Sequence, residues 1–159
     1  MDTGHKTYTV DEATRKLEYF CSYQDRCHEE VLQKLKSLRM IPQAIDAIMA
    51  HLIEHNFLNE ERFACSFARG KWRIKQWGKR RIVQELKFRD ISRYNIERAL
   101  KEIDEEEYIN QFSKLAETQW ENIRETSILK KKKKLTDFLL RKGYENDIIY
   151  DKINNLTEF

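Results

Sequence analysis

The sequence predicts an all-α protein: three tandem three-helix repeats forming an elongated, curved array. Four observations carry this. Four glycines and one proline in 159 residues leave few positions for hairpins and tight turns, against ordinary usage of about 7% and 5%. Apolar residues recur at helical spacing along the chain. A short phrase also recurs: QKLKSLRMIP around Leu35, QELKFRDIS around Leu86 and DFLLRKGYE around Leu139, at separations of 51 and 53 residues. Charged residues make up 36% of the chain, more than the surface of a compact globule needs at the usual value of about 25%. A stacked array supplies the extra surface.

Met1 to Tyr8 is short and polar, a tail expected to fray. Thr9 can cap a helix from Val10, with Glu12 three residues on as in a capping box; Ala13, Leu17 and Phe20 then share a face. Asp25 is the next expected N-cap, before a helix with Val31, Leu32, Leu35 and Leu38. Pro42 suits the first turn of a third helix, which carries Ile45, Ile48, Met49 and Leu52 and ends near Asn56. The pattern restarts at Asn59, whose helix runs to about Gln76 with Phe63, Phe67 and Ile74 inward. A second helix runs from Gly78 to about Phe88 with Ile82, Val83 and Leu86 inward, and Ser92 caps one with Ile96, Ala99, Leu100 and Ile103. After Asp104 to Glu107 come Tyr108, Phe112, Leu115 and Ile123, then Ile128, Leu135, Phe138 and Leu139, then Ile148, Ile149 and Ile153. The division read from this is a tail at 1–8 and repeats at 9–56, 57–103 and 104–159. In the shared phrase Ile41, Ile91 and Tyr144 precede each third helix, the first repeat needing one extra residue.

The net charge is only +3, but it is segregated. Ten cations and two anions lie between Arg69 and Arg93, a net +8, so the remainder carries −5. Such segregation points to a polyanion or an acidic protein groove as partner. Lys71 and Lys75 share a helix face, as do Arg69 and Arg73. Lys79, Arg80 and Arg81 fall in a first helical turn, where the macrodipole disfavours cations by roughly 0.3–1 kcal/mol each. That placement implies a use other than helix stability, and a helix N-terminus carrying cations suits phosphate or carboxylate. The candidate partner- and nucleic-acid-binding residues are Arg69, Lys71, Arg73, Lys75, Lys79, Arg80, Arg81 and Lys87. Trp72 and Trp77 flank them and are read as packing residues rather than base-stacking ones. The run Lys130 to Lys134 spreads around all faces of a helix and reads as solvation.

Other chemistries find little support. Cys21, Cys27, His28, His51 and His55 lack the paired spacing of a metal site. There is no phosphate-cradling glycine loop, nucleophile elbow or HExxH, so neither enzyme activity nor a cofactor is expected. Glu60-Glu61 and Glu105-Glu106-Glu107 read as helix N-terminal charges. Three cysteines without a pattern read as reduced thiols. With no apolar run of 18 residues and no leader-like opening, a soluble cytoplasmic protein is expected.

The run Phe57-Leu58-Asn59-Glu60-Glu61-Arg62-Phe63-Ala64, then Phe67-Ala68-Arg69, then Gly78-Lys79-Arg80-Arg81-Ile82 and Glu85-Leu86, resembles the RecX family of recombination regulators. The resemblance extends over about Ala13 to Leu156 and is most specific from Phe57 to Ile91. A glycine common in the family's repeated turn stands as Asp90 in the second repeat and Met40 in the first; only Gly143 keeps it. The resemblance implies tandem three-helix repeats and a monomer that binds the RecA recombinase filament along its groove. It further implies restraint of the filament's ATPase, strand-exchange and co-protease activities, and hence a role in DNA repair and the SOS response. Single- or double-stranded DNA is a second implied partner. A stand-alone nucleic-acid-binding protein with helix-turn-helix-like units is the alternative.

Overall fold

The computed structural model describes residues 6–158, so the first five residues of the expected tail lie outside the described residues. Nine helices account for most of these residues: α1 Val10–Tyr23, α2 His28–Ser37, α3 Pro42–Glu54, α4 Glu60–Arg73, α5 Lys79–Phe88, α6 Arg93–Leu100, α7 Glu105–Asn122, α8 Ile128–Lys142 and α9 Asn146–Thr157. The accessible surface is 10675 Å² for a 19.3 kDa chain, against about 8,500 Å² for a compact monomer of that mass. The excess is what an extended row of helices exposes.

The caps follow local chemistry. Thr9 and Glu12 form the capping box at α1, and the side chains of Asn59, Ser92, Asp104 and Ser127 accept N–H bonds at α4, α6, α7 and α8. Asp25 does not cap α2; Cys27 stands at that position. The Asp25 carboxylate instead takes Arg62 Nε at 2.7 Å. The other Arg62 nitrogens donate to the Asn56 and Phe57 carbonyls at 3.2 and 3.1 Å. One guanidinium therefore ties the α1–α2 turn, the α3–α4 link and the start of α4. Glu60 and Glu61, besides opening α4, hold α6: Glu60 accepts from Asn95 and from the Ser92 N–H, and Glu61 pairs with Arg98 at 3.3 Å.

The repeated phrase is one turn built three times. Met40, Ile91 and Tyr144 N–H groups donate to Leu35, Leu86 and Leu139 carbonyls at 3.2, 3.1 and 3.2 Å. The residue before each, Arg39, Asp90 and Gly143, donates three residues back and has φ of 60°, 59° and 96°. These are Schellman turns, whose left-handed residue favours glycine. The geometry corrects the expected register: Arg39, not Met40, holds the glycine position, and Met40, not Ile41, matches Ile91 and Tyr144, so no extra residue is needed. A left-handed conformation at a residue with a Cβ costs about 1–2 kcal/mol. Arg39→Gly is therefore expected to raise stability by roughly 0.5–1 kcal/mol after glycine's larger chain entropy is deducted. Asp90→Gly should gain less, since Asp tolerates this region. Urea denaturation of the two variants checks the order.

The buried residues form two clusters rather than three. Ala13, Leu17, Val31, Leu35, Ile48 and Leu52 centre the first unit's core, which also takes in Leu58 with Phe57 against it, although the sequence division placed 57 and 58 at the head of the second repeat. The second and third units share one continuous core, from Phe63 and Trp72 through Ile82 and Leu86 to Tyr108, Phe112, Leu139 and Tyr144. Cys27, on the first unit's side of the chain, packs into this second cluster. Ile74 departs from its expected inward place: it follows the last residue of α4 and is 79% exposed, whereas Trp72 fills the inward position at 3%. Ile128 is exposed as well.

Candidate functional site

Gly78 fixes how α5 meets the third unit. Its N–H donates to the Lys142 carbonyl at 2.7 Å, the Arg80 N–H donates to the Gly143 carbonyl at 3.0 Å, and the Lys79 N–H donates to the Tyr108 hydroxyl at 3.0 Å. Backbone meets backbone here: a Cβ on Gly78 would lie 2.3 Å from Gly143 C and O. Only glycine permits that approach. The expected anion site at the backbone of this helix N-terminus is thus not available, because three of its N–H groups are already bonded within the protein.

The same junction closes α4. The turn that follows α4 carries Gln76 at φ 57°, and the third unit covers two of its carbonyls: Lys142 Nζ donates to Lys75 O at 2.9 Å and the Tyr144 hydroxyl to Gln76 O at 2.8 Å. A cation there matches the helix dipole. The Tyr108 hydroxyl in turn donates to Glu145 at 2.9 Å, and the Tyr108, Phe112 and Tyr144 rings pack with centroids 4.9–5.7 Å apart.

Burial pushes the Tyr108 and Tyr144 phenols far above the ordinary tyrosine range, with the Glu145 carboxylate adding to the shift. A raised folded value means that the unfolded chain loses these protons first. Stability is full below the ordinary tyrosine value of about 10 and falls as pH rises above it, by about 1.4 kcal/mol per pH unit for each tyrosine. Lys142 has the opposite shift, lowered by burial and then by Arg81 and Lys75, and offsets part of the slope. Denaturation between pH 9 and 11 should show the fall, and Tyr144→Phe should make it shallower.

The eight candidate cations divide. Arg69 pairs with Glu102 at 3.1 Å, and Lys79 pairs with Glu105 while lying over the Tyr108 ring at 4.6 Å. Both are occupied inside the fold. Among the described residues no carboxylate lies within 4 Å of Lys71, Arg73, Lys75, Arg80, Arg81 or Lys87. Trp77 organises part of this group: Arg81 and Lys71 sit over its ring at 4.1 and 5.0 Å, and Phe67 meets its edge. Arg73 lies over buried Trp72. Both tryptophans therefore pack within the protein.

An open cleft of about 640 Å³ between α5 and the end of α8 collects Lys79, Arg80, Arg81 and Lys87 from the second unit and Arg141 from the third. The Arg81 guanidinium donates to the Arg141 carbonyl at 3.2 Å. Arg141 is thus a member of the basic surface that the sequence reading omitted. It lies 60 residues beyond Arg81 in sequence and is brought there by the close approach of Gly78 to Gly143. Within the lysine run, Lys131 covers Trp120, Lys133 pairs with Asp137 and Lys134 with Glu125.

Fold and site together define a helical-repeat protein whose basic surface bridges two units locked backbone to backbone. A model of the second three-helix domain of RecX matches residues 59–100, and one of the third matches residues 105–153; the chain belongs to the RecX family. It is 27% identical over 149 residues to regulatory protein RecX of Bacillus cytotoxicus, covering 94% of this chain and 55% of that one. With regulatory protein RecX of Enterococcus faecalis it shares 28% over 144 residues, covering 91% and 54%. The chain spans about half the length of these curated relatives. The crystal structure of RecX from Lactobacillus salivarius superposes with a TM-score of 0.80 at 27% identity, covering 92% of this chain and 96% of that one. A second crystal structure, of a regulatory protein RecX, shares the fold at a TM-score of 0.78 and 21% identity, covering 92% of this chain and 75% of that one. No helix among the described residues is long and apolar enough to cross a membrane.

Proposed function

We propose that this protein is a non-enzymatic, cytoplasmic regulator that binds a RecA recombinase filament and restrains its recombinase, ATPase and co-protease activities. It would thereby modulate recombination, DNA repair and the SOS response. The observation that carries the reading is the set of cations left without carboxylate partners on α4, α5 and the turn between them in the second unit, three of which, Arg80, Arg81 and Lys87, line the cleft against the third. Such groups retain their charge for a partner, whereas Arg69 and Lys79 have spent theirs. The protein acts as a monomer, its repeats at 9–56, 57–103 and 104–159 lying along the filament groove. Lys71, Arg73, Lys75, Arg80, Arg81 and Lys87 meet acidic protein surface or DNA phosphates there. Occupation of the groove blocks duplex access and favours filament disassembly.

The test is RecA ATPase on single-stranded DNA, with and without this protein. Inhibition at stoichiometric amounts is expected, and its absence overturns the reading. The same unpaired cations also favour a second reading, a protein that binds nucleic acid by itself. Salt separates the two. Bare DNA binding alone weakens with a slope of about −0.9 per neutralised phosphate, whereas a filament binder prefers the filament to bare DNA at one salt concentration.

A further inference from the structure

We propose that the first unit carries a separate site for unpaired bases of a single-stranded nucleic acid, centred on Tyr19 and Tyr23. This site lies on α1, away from the basic cleft, and does not rest on the filament reading. One face of α1 buries Ala13, Leu17 and Cys21. The face turned from that core presents Tyr19 and Tyr23 at 71% and 73% exposure, their ring centroids 6.4 Å apart. Large aromatic rings left this open contribute little to the core, so the fold does not account for them.

The rings form part of an open pocket of about 600 Å³, within the range of ligand clefts, about 300–1,000 Å³. Its floor is Phe20, with the Arg26 guanidinium laid over the ring at 3.7 Å. Arg26 is fixed there, its Nε donating to the Phe20 carbonyl at 3.0 Å and its charge shared with Glu30 at 3.5 Å. Three further cations, Arg15, Lys16 and Lys34, complete the lining. Among the described residues none of these three has a carboxylate within 4 Å, and no carboxylate lines the pocket.

Flat apolar walls with unpaired cations fit one ligand chemistry best. An unpaired base offers a π-face for the tyrosines, and its backbone offers phosphates for Arg15, Lys16 and Lys34; this is the combination that single-strand binding uses. A duplex hides its base faces within the stack, so it could use the cations and not the rings. An acidic peptide would likewise satisfy the charge but leave the rings uncovered.

The experiment follows fluorescence anisotropy of a labelled 15-nucleotide oligothymidylate and of a 15-base-pair duplex, using the full chain. Tyr19→Ala with Tyr23→Ala should weaken oligothymidylate binding at least about 30-fold, given roughly tenfold or more per lost stack, and leave the duplex unchanged. Tyr19→Phe with Tyr23→Phe should restore binding, because stacking needs the ring and not the hydroxyl. Both residues are exposed, and circular dichroism of each variant confirms the fold. A bromodeoxyuridine-substituted strand should crosslink to Tyr19 or Tyr23 on irradiation. Unchanged oligothymidylate affinity in the alanine variant, an equal loss for the duplex, or crosslinks confined to α5 and α8 would each overturn the proposal. So would displacement of the strand by polyglutamate equally well with and without the tyrosine rings, which would assign the pocket to an acidic peptide.

Discussion

Gly78→Ala is expected to destabilise the chain by roughly 3–5 kcal/mol, from about 1–3 for overpacking and about 1 for each of two backbone hydrogen bonds lost. The added Cβ would stand 2.3 Å from the Gly143 carbonyl carbon and oxygen and 2.4 Å from the Tyr144 nitrogen. These are backbone atoms of a tight turn and cannot rotate away as a side chain would. Relief requires α5 to withdraw from the α8–α9 turn, which breaks the Gly78 to Lys142 and Arg80 to Gly143 bonds. Such a loss is a large part of the roughly 5–15 kcal/mol that holds a domain folded. Since the second and third units share one core, the transition should move for both, while the first unit's separate core is less affected. Gly70→Ala is the internal control. It lies within α4 with nothing within 4 Å of the added atom, so it should stabilise by roughly 0.5–1 kcal/mol. Urea melts of the two variants should therefore shift in opposite directions. A Gly78→Ala protein as stable as the parent would mean that the two units are not locked through this contact.

Helix type and order could be read from the sequence because they rest on local signals. The capping residues Thr9, Asn59 and Ser92 stand where the structure uses them, and the apolar period finds Leu17, Leu35, Ile82, Leu86 and Leu139, all fully buried. What could not be read is set by contacts between distant residues. Ile74 has the right spacing for an inward face, but α4 ends one residue earlier, and the chain beyond a helix no longer keeps its period. Asp25 has the right chemistry for a cap, yet a long-range partner, Arg62, claims its carboxylate. The basic surface was divided in the same way. Arg69 and Lys79 look like their neighbours in sequence, and only the approach of Glu102 and Glu105 separates them. Arg141 joins the cleft from another unit, and no local pattern marks it.

Reversing Arg80 and Arg141 to Glu together should weaken binding to a RecA filament at least about 100-fold, or about 2.7 kcal/mol, if the cleft meets an acidic or phosphate surface as proposed. Both side chains are exposed and neither pairs with a carboxylate among the described residues. Stability should consequently stay within about 0.5 kcal/mol of the parent, and any lost inhibition can be ascribed to the surface. Each reversal removes one attraction and creates one repulsion, hence the size of the effect. Arg69→Gln provides the contrast: its charge is already matched by Glu102 at 3.1 Å, so neutralising it should change filament affinity less than threefold. Arg141→Glu alone discriminates further. If the second unit acted by itself, this change in the third would be silent; if the cleft is the contact, it should account for about half of the double variant's loss on a free-energy scale. The measurement is the concentration of protein that half-inhibits RecA ATPase on single-stranded DNA, at one fixed salt concentration. Full inhibition by the Arg80→Glu, Arg141→Glu protein at parental concentrations would remove the cleft from the mechanism, even if the protein does regulate the filament.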